Sequence, residues 1–504
     1  MEYQFFDKYV LRTPLLTIET ISSLTEKKTL DNDDLISFCN DDVVMEAIYL
    51  ASPSLHSEIE KLKAGLITSF KYSNKIKFAF LRYLIRMSSR CTPFGLFSGV
   101  SIGSFGLNTD IRLSEKNKNR RRTRLDMELV ISISTQLAND KVIRPHLLFY
   151  PNTSIYAAGD YLRYIEYSYE EGKRIHEISG VRNTEYLKRI LEVASTGSKL
   201  TDLSNKLVDD EISLEQATEY VEKIVESQLL VSELEPSVSG LEFQENIKEI
   251  FKKIKSTEKR QIQLTKIASG LYDLDTQMGN SAEKYDRLTK LLKIFESKKE
   301  LKYTFQADMT QRVISNKLDK KWLPKIRKAL ILMNKMTLIN KEPSLQEFQK
   351  GCQKRYERRE VALPIVRDVE MGIGLRKNIE YGDINTFVDD LQLPKNKREN
   401  YQNQWNKLHE VLKEKLLDCL KLNKNNLLLE YSDFSDFELN WDDLPDTLSG
   451  MVEICNNEGK QKLIVPGFGG ASAVKLLGRF CHLDEEIHDF VNSIISKEEQ
   501  MNPD

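Results

Sequence analysis

The chain contains 504 residues, of which 40% are hydrophobic and 30% are charged, and its formal net charge at pH 7 is −2. This length exceeds what one ordinary hydrophobic core occupies and predicts two to four structural units. The charge balance excludes a uniformly basic nucleic-acid binder, and no apolar run approaches the ~20 residues that a transmembrane helix needs. We therefore expect a soluble, folded protein.

Cysteine and histidine positions exclude several kinds of site. The six cysteines include no Cys-x-x-Cys pair, so we predict neither a disulfide framework nor a thiolate metal site. The six histidines show no metal-ligand spacing, and the Gly-x-Ser-x-Gly elbow of serine hydrolases does not occur. Because the N-terminus also lacks the pattern of a secretory signal, a reducing cytoplasm is the expected location.

The first predicted unit covers residues 1–150 and begins with a short strand at 9–14 that a proline ends. Its hydrophobic spacing predicts three helices, followed by a strand at 99–105, a basic loop and a helix that begins at Asp126. The three helices are expected at about 41–52, 56–70 and 73–88.

The most informative segment follows the third helix and reads Arg-Met-Ser-Ser-Arg-Cys-Thr-Pro-Phe-Gly-Leu-Phe-Ser-Gly from residue 86 to 99. Arg86 and Arg90 project from one face while the helix lasts, because they are one turn apart. Thr92 and the proline after it end the helix, and glycines then permit a tight return. Two guanidinium forks beside such a turn suit a phosphate or carboxylate held in a fixed orientation. The alternative is a surface helix end with ordinary arginines.

A second basic feature is the segment 116–124, which carries six positive charges and no acid. One interpretation is a tRNA-binding loop, whose affinity would come mainly from phosphate contacts and would fall with added salt. The alternative is a solvated loop without a ligand. Besides two lysines, the charges belong to Arg120, Arg121, Arg122 and Arg124.

The second predicted unit, residues 151–236, combines short strands with three helices. Alternating residues predict strands, with turn residues at 159–160 and 171–172 between them. Short strands, three helices and a closing strand are the layout of a winged helix-turn-helix. The strands are expected at 154–157, 162–167, 173–178 and 228–232, and the helices at about 183–195, 199–207 and 213–227.

Such a unit binds either DNA or a peptide, and its charges favour the peptide. The helix at 199–207 carries only Lys199 and Lys206 and is followed by three acidic residues. A helix that reads DNA would need more positive charge than this. We therefore expect an extended peptide to add to the edge of the small sheet.

The third predicted unit, residues 237–504, is mostly helical and highly charged. A strand at 301–309 interrupts its helices, and its alternating pattern ends near Asp308. The glycine-rich loop 466–473 exposes backbone N–H groups that can bind an anion, although a tight structural turn is the alternative. Further helices are expected at about 282–297, 317–337, 344–358 and 394–421, and further strands at 426–431, 448–455 and 462–465.

Together these segments resemble the class I lanthipeptide (lantibiotic) dehydratases, which modify Ser and Thr of a precursor peptide using glutamyl-tRNA. The resemblance extends over essentially the whole chain in family order. The segments that carry it are Leu11–Pro14, the string from Arg86 to Gly99, Arg124–Asp126, Arg355–Glu357 with Leu363–Gly374, and the Gly-Gly-x-Ser-Ala and Gly-Arg-Phe residues between 470 and 480.

The resemblance implies a glutamylation site without metal or cofactor, in which glutamyl-tRNA is a co-substrate. The residues that match the family's catalytic positions are Arg86, Arg90, Thr92, Asp126, Asp308 and Arg479. Candidates for substrate or tRNA binding are Arg12, Arg120, Arg121, Arg122 and Arg124. Candidates for binding the leader peptide are Tyr164, Ile165, Tyr167 and Ile175.

The expected fold class is α+β: several units, rich in helix, with small mixed or antiparallel sheets and an embedded winged helix-turn-helix that binds peptide. Units 1–150 and 237–504 would form the glutamylation domain, and unit 151–236 would bind the leader. The family continues beyond residue 504 into an elimination domain, so we expect half of a split enzyme, a truncated product or a fragment.

Expected partners are the precursor peptide, tRNA(Glu), a chain that supplies the rest of the dehydratase, and a cyclase, but not DNA. Two rival functions stay open. One is a non-catalytic protein that binds the leader peptide, and the other is an aminoacyl-tRNA-dependent peptide ligase of the same superfamily. The remaining alternative is a helical scaffold whose basic cluster is structural.

Overall fold

A computed structural model describes residues 3–26, 35, 37–67, 69–170, 173–237, 240, 242–254, 257–295, 303–337, 343–368, 371–374, 405–442, 444–457 and 459–503. The fold is α+β, and the chain forms two compact units. The larger unit comprises Gln4–Thr153, Thr184–Trp322 and Gly470–Asp504, and the smaller unit comprises Met1–Tyr3, Ser154–Asn183 and Leu323–Gly469. No described helix is both long enough and apolar enough to cross a bilayer.

The strands of the described residues, in chain order, are β1 (Lys8–Pro14), β2 (Ser98–Gly106), β3 (Asp110–Leu113), β4 (Arg120–Leu125), β5 (Phe149–Pro151), β6 (Tyr156–Ala158), β7 (Tyr161–Glu170), β8 (Lys173–Arg182), β9 (Leu230–Ser232), β10 (Phe305–Thr310), β11 (Val313–Asp319), β12 (Ser449–Asn457) and β13 (Lys460–Gly469).

The α-helices of the described residues are α1 (Ile18–Thr25), α2 (Asp42–Ala51), α3 (Pro53–Lys63), α4 (Phe70–Ser89), α5 (Met127–Ala138), α6 (Glu185–Ala194), α7 (Leu200–Asn205), α8 (Leu214–Glu226), α9 (Phe243–Lys252), α10 (Glu258–Asp275), α11 (Ala282–Leu292), α12 (Trp322–Met336), α13 (Pro343–Tyr356), α14 (Leu363–Arg367), α15 (Lys407–Lys421) and α16 (Glu485–Met501).

The larger unit is built around a six-stranded mixed sheet in the order β3-β11-β2-β10-β4, with β1 also paired to β2. β1 runs antiparallel to β2, whereas β10 runs parallel to β2 and antiparallel to β4. Pairing therefore joins segments almost 200 residues apart, such as Asp308 opposite Arg122.

Apolar side chains cover both faces of this sheet. On one face, Ala307 and Met309 of β10 belong to a core with residues of α2 and α4. On the other face, Val100 of β2 packs with Phe480 and with Ile487 of α16. Because successive strand residues point to opposite faces, β10 contributes Asp308 and Thr310 to the α16 side.

Helix α4 ends where the sequence predicted a break. Ser69 caps its first turn, and the expected helix at 73–88 is confirmed within the longer span of α4. Arg90 is the first extended residue after the helix, and Gly95, with a φ of +54°, begins the short turn that leads into β2. Positive φ favours glycine because it has no Cβ to clash with the backbone.

Four expectations about secondary structure are wrong. The basic segment expected as a loop contains the strand β4, the helix expected from 317 begins only at Trp322 after the strand β11, and the glycines at 467 and 469 lie in β13 rather than in a loop. The strand expected at 426–431 is also not formed: residues 426–430 are irregular, and a 3₁₀ turn begins at Tyr431. Each missed strand is stabilised by a partner distant in sequence or by a hairpin neighbour.

The smaller unit contains the antiparallel sheet β6-β7-β8 and the hairpin β12-β13. Leu162 and Tyr164 are buried on one face of β7, whereas Ile165 is exposed on the other. The carboxylate of Asp368, just after α14, accepts from Tyr156 and forms an ion pair with Arg163, each at 3.0 Å. These contacts attach β6 and β7 to the segment around α14.

The predicted 151–236 unit is divided between the two compact units. Its first three strands belong to the smaller unit, whereas α6, α7, α8 and the closing strand β9 belong to the larger unit, where β9 pairs with β5. The expected strands and helices are confirmed as elements, but the winged helix-turn-helix and the domain boundaries stay predictions. The expected turn at 171–172 and the first residues of the helix expected at 394–421 lie outside the described residues.

Candidate active site

A buried carboxylate is the centre of the candidate site. Asp308 lies on the interior strand β10 with only 2% of its surface exposed. Its Oδ1 accepts a hydrogen bond from Arg479 at 3.0 Å. Its Oδ2 lies 3.4 Å from a guanidinium nitrogen of Arg124 and 3.4 Å from Nε2 of His482. Asp308 therefore connects β4 and β10 with the segment before α16.

The pKa of Asp308 reflects opposing effects of burial and charge. Burial by itself raises the pKa of this carboxyl, because desolvation disfavours the ionised form. The contact with His482 and the positive charge of Arg479 outweigh burial and hold the pKa below its ordinary value. Asp308 is therefore an anion throughout the neutral range.

Arg12 adds further positive charge to this cluster. It lies on β1 opposite Val100, and its guanidinium donates to the carbonyl oxygen of Leu476 at 3.3 Å. Burial lowers the pKa of Arg12, and the charge of Arg479 lowers it further, so the two guanidinium groups lie close enough to repel each other. Arg124 and Arg479 thus contact one carboxylate while Arg12 lies beside Arg479, and the excess positive charge suits a bound anion.

The basic strand β4 divides its arginines between the two faces of the sheet. Arg120, Arg122 and Arg124 occupy alternate positions and pair in register with Thr310, Asp308 and Gln306 of β10. They therefore share a face with Asp308, since directly paired residues point the same way. The basic segment 116–124 is therefore not one continuous binding surface, because only every second residue of β4 faces the candidate site.

Arg121 points to the opposite face and is enclosed there. None of its side chain is exposed, and it forms an ion pair with Glu46 and hydrogen bonds with Thr123 at 2.8 Å and Tyr285 at 2.6 Å. A contact with tRNA, which the sequence suggested for all four arginines, would require Arg121 to leave this network. Its observed contacts are those of a residue that holds the fold together.

The turn after α4 places a second group of candidates at the protein surface. Arg86 lies in the last turn of α4 with its guanidinium carbon 4.4 Å from the ring centroid of Phe94. Its Nε is buried and makes no hydrogen bond within the described residues. Arg90 and Thr92 are exposed, and Cys91 between them lies close enough to Arg12 to influence its pKa. The turn therefore borders the Arg12 side of the Asp308 cluster.

Asp126 has a structural role that is visible in the fold. It directly follows β4 and is the N-cap of α5, where its carboxylate accepts from the backbone N–H of Glu128 at 3.0 Å. Such caps satisfy N–H groups that the first helical turn leaves free. A part for Asp126 in catalysis stays a prediction.

The leader-peptide candidates lie on the sheet of the smaller unit and differ in accessibility. Tyr164 is 2% exposed and its hydroxyl donates to Glu166 at 3.2 Å, so its side chain belongs to the interior. Ile165 is exposed, and Ile175 on the edge strand β8 is half-buried. The guanidinium carbon of Arg174 lies 3.6 Å from the ring centroid of Tyr167. Within the described residues, β8 has a strand partner on only one side.

Sequence reasoning missed two residues of the candidate site. The spacing of the histidines predicts no role for His482, although it follows Arg479 by three residues. Thr310 shares the site face with Asp308, and its buried hydroxyl makes no hydrogen bond within the described residues. The short spacing from Arg479 was a signal for His482, whereas only the strand register reveals Thr310.

Comparison with known proteins identifies the family of this chain. The family model described as lantibiotic dehydratase, N terminus, matches residues 40–504, which is most of the chain. The chain belongs to the lantibiotic dehydratase family. The expected resemblance is therefore confirmed for the N-terminal portion of these proteins, which takes part in lanthipeptide biosynthesis.

Two curated family members match nearly half of the chain. The subtilin biosynthesis protein SpaB of Bacillus subtilis is 30% identical over 237 residues, which are 46% of this chain and 22% of SpaB. The epidermin biosynthesis protein EpiB of Staphylococcus epidermidis is 23% identical over 235 residues, which are 46% of this chain and 23% of EpiB. These matches thus span less than a quarter of the relatives' own length.

Two solved structures share the fold. The tRNA-dependent lantibiotic dehydratase MibB from Microbispora sp. 107891 superposes with a TM-score of 0.75 at 19% identity, covering 97% of this chain and 46% of MibB. The glutamylation domain of TbtB from thiomuracin biosynthesis gives a TM-score of 0.53 at 16% identity, covering 91% of this chain and 56% of that one. At these identities the likeness concerns the α+β fold of the family.

Proposed function

We propose that this chain transfers glutamate from glutamyl-tRNA to Ser and Thr side chains of a precursor peptide during lanthipeptide biosynthesis. The observation that carries the proposal is the excess of guanidinium groups at one buried carboxylate, with Arg124 and Arg479 in contact with Asp308 and Arg12 beside Arg479. Membership of the dehydratase family supports the same chemistry. The reaction is expected in the cytoplasm, where aminoacyl-tRNA is available.

The transfer exchanges one ester for another. The hydroxyl oxygen of Ser or Thr attacks the ester carbonyl of glutamyl-tRNA, a new ester forms, and the bond to the terminal ribose of tRNA breaks. The proton of the attacking hydroxyl ends on the ribose oxygen, so no oxidant or metal is needed. The chain must hold the two substrates in line and stabilise the oxyanion that develops.

The arginines fit these tasks. Arg479 has 52% of its side chain exposed and Arg124 has 30%, so both can reach a ligand while they contact Asp308. Guanidinium forks bind phosphate or carboxylate with two parallel hydrogen bonds. Arg86 and Arg90, at the turn that borders Arg12, extend the positive surface toward the end of the tRNA.

We assign leader-peptide binding to the edge strand β8. An extended peptide can pair with the free edge of a sheet through main-chain hydrogen bonds, while side-chain contacts supply specificity. Ile165 and Ile178, which pair directly across β7 and β8, are 45% and 63% exposed and offer an apolar surface beside that edge. Tyr164 is left out of this surface because it is buried.

The proposal concerns the transfer step, which the charges around Asp308 can support, and the chain covers 46% of the length of MibB. Its partners are the precursor peptide and tRNA(Glu). A chain that completes dehydration and a cyclase would act on the product. The free edge of β8 also favours a second candidate function, a leader-binding protein without transfer activity.

The decisive experiment measures the intact mass of a precursor peptide, encoded beside this chain's gene, after incubation with the chain and glutamyl-tRNA. We expect a mass increase of one glutamyl group that requires charged tRNA and is lost in Arg479→Ala. Peptide binding without an adduct would contradict transfer and favour the leader-binding function. Formation of a peptide bond, resistant to mild alkali that cleaves the ester, would indicate a peptide ligase instead.

A further inference from the structure

The buried carboxylate of Asp308 divides its oxygens between different donors. Arg479 occupies Oδ1, whereas Arg124 and His482 both approach Oδ2. The two arginines are partly exposed, at 52% and 30% of their side chains, but His482 is only 21% exposed. The histidine is thus the donor least able to leave Asp308 for an external ligand.

The fold holds His482 firmly in place. Phe480, which is 2% exposed, packs with Val100 and Ile487, and the backbone N–H of Leu483 donates to its carbonyl at 3.0 Å. One residue after Leu483, Asp484 caps α16. Nε2 of His482 is buried and has no hydrogen bond of good geometry within the described residues, and its contact with Oδ2 of Asp308 is an ion-pair approach at 3.4 Å.

Ligand binding would change the surroundings of Asp308. When Arg479 and Arg124 turn toward a phosphate or carboxylate of the substrate, they share or give up their contacts with Asp308. A buried carboxylate without donors is costly, so the arginines would otherwise be drawn back to it. A fixed donor on Oδ2 removes that competition.

We infer that His482 is a positioning residue for the proposed transfer reaction: its Nε2–H holds Asp308 so that Arg479 and Arg124 are oriented toward the anionic substrate. Either the neutral tautomer with hydrogen on Nε2 or the protonated ring can make this donation. His482 itself need not contact substrate. This inference rests on the proposed function, since it concerns the same site.

The test compares His482→Ala with His482→Gln and His482→Asn in the mass-based transfer assay. The amide nitrogen of Gln lies as many bonds from Cα as Nε2 of His, whereas that of Asn reaches only the position of Nδ1. We expect Ala and Asn to lower kcat by about tenfold to a hundredfold, because a misplaced group slows a reaction without abolishing binding. We expect Gln to restore kcat to within about threefold of wild type, with KM for glutamyl-tRNA little changed in all three.

His488→Ala is the matched control, because this histidine lies on α16 with 56% of its side chain exposed. It should retain full activity, and thermal unfolding should show that all variants are folded. Wild-type activity in folded His482→Ala, or a failure of Gln to exceed Ala and Asn, would overturn the inference while leaving the transferase function intact. Absence of an adduct with wild-type protein would instead overturn the proposed function and this inference with it.

Discussion

Two ionic clusters lie on opposite faces of the same pair of strands, and they differ in how completely their charges are matched. On one face, Arg121 is enclosed with Glu46 and Tyr285 and has no exposed side-chain surface. On the other face, Asp308 is buried, whereas Arg124 and Arg479 around it are partly exposed and Arg12 adds a further charge.

This difference in charge matching indicates that arginines of the two clusters have different roles, one structural and the other functional. The side chains of Arg121, Glu46 and Tyr285 satisfy their donors and acceptors within the protein, which is typical of buried ion pairs that hold elements together. The Asp308 cluster keeps positive charge in excess and accessible, which is what an anionic substrate requires. Neighbouring residues of one basic run therefore have different roles because a strand alternates its faces.

The largest expected effect is on stability, in the enclosed cluster. Arg121→Ala leaves Glu46 buried without its ion-pair partner, and we expect the free energy of unfolding to fall by about 3–5 kcal/mol. Chemical denaturation followed by circular dichroism measures this loss. The exposed neighbour gives the control: Arg120→Ala should change stability by less than about 0.5 kcal/mol. If Arg121→Ala and Arg120→Ala lowered the free energy of unfolding equally, the two faces of β4 would not differ in their structural role.

Arg479→Ala should affect transfer activity more than stability, unlike Arg121→Ala. We expect kcat for glutamyl transfer to fall by about 10²–10³-fold, as when one donor to a developing oxyanion is removed. The loss of unfolding free energy should be smaller than in Arg121→Ala, because Asp308 keeps its contacts with Arg124 and His482. Arg479→Lys should recover only part of the activity, because an ammonium group lacks the planar fork. The mass assay with glutamyl-tRNA measures both. A loss of stability in Arg479→Ala as large as that in Arg121→Ala would indicate that Arg479 has a structural role instead.

The contribution of Asp308 to the free energy of unfolding should depend on pH in the acid range. The pKa of Asp308 is below its ordinary value in the folded state because donors from His482 and Arg479 outweigh burial. Ionised Asp308 thus contributes stability that is fully present above the ordinary carboxyl pKa of about 3.9 and is lost as pH falls through the lower folded value. Wild type should lose more unfolding free energy than Asp308→Asn between about pH 5 and pH 3. Parallel pH profiles would contradict this assignment.

The leader-binding surface should respond to a charge on its apolar part. Ile178→Glu places a carboxylate at a side chain that is 63% exposed beside the free edge of β8. We expect about a tenfold weaker affinity for a fluorescently labelled leader peptide, measured by anisotropy, because an apolar contact is lost. The control is Leu107→Glu, whose 89% exposed side chain lies on the larger unit. Unchanged leader affinity in Ile178→Glu would contradict strand addition at this surface.

The smallest expected effect concerns tRNA contacts of the exposed arginines. If Arg120 contacts one phosphate, Arg120→Ala should weaken tRNA binding modestly and reduce the salt slope of the affinity by about 0.7–0.9. Filter binding at several salt concentrations measures this slope. Arg121→Met combined with Glu46→Leu should leave the slope unchanged, since those side chains are buried. A reduced slope in that double variant would show that Arg121 does reach tRNA.

Local sequence determined the end of α4, its cap and the tight turn that follows, because proline and glycine restrict or permit backbone angles without help from distant residues. It also determined the family, through the segment from Arg86 to Gly99 and the other matching segments. The expected strands β2, β7 and β8 formed as their alternating residues predicted.

Only the tertiary structure decided which charges form the site. The basic segment became strand β4 because β10, almost 200 residues later, pairs with it, and this register separates Arg121 from Arg124. His482 joins Asp308 because packing of Phe480 under α16 brings its segment onto the sheet. Strand pairing and burial depend on long-range contacts, so neither the face of an arginine nor the partner of a carboxylate can be obtained from local sequence.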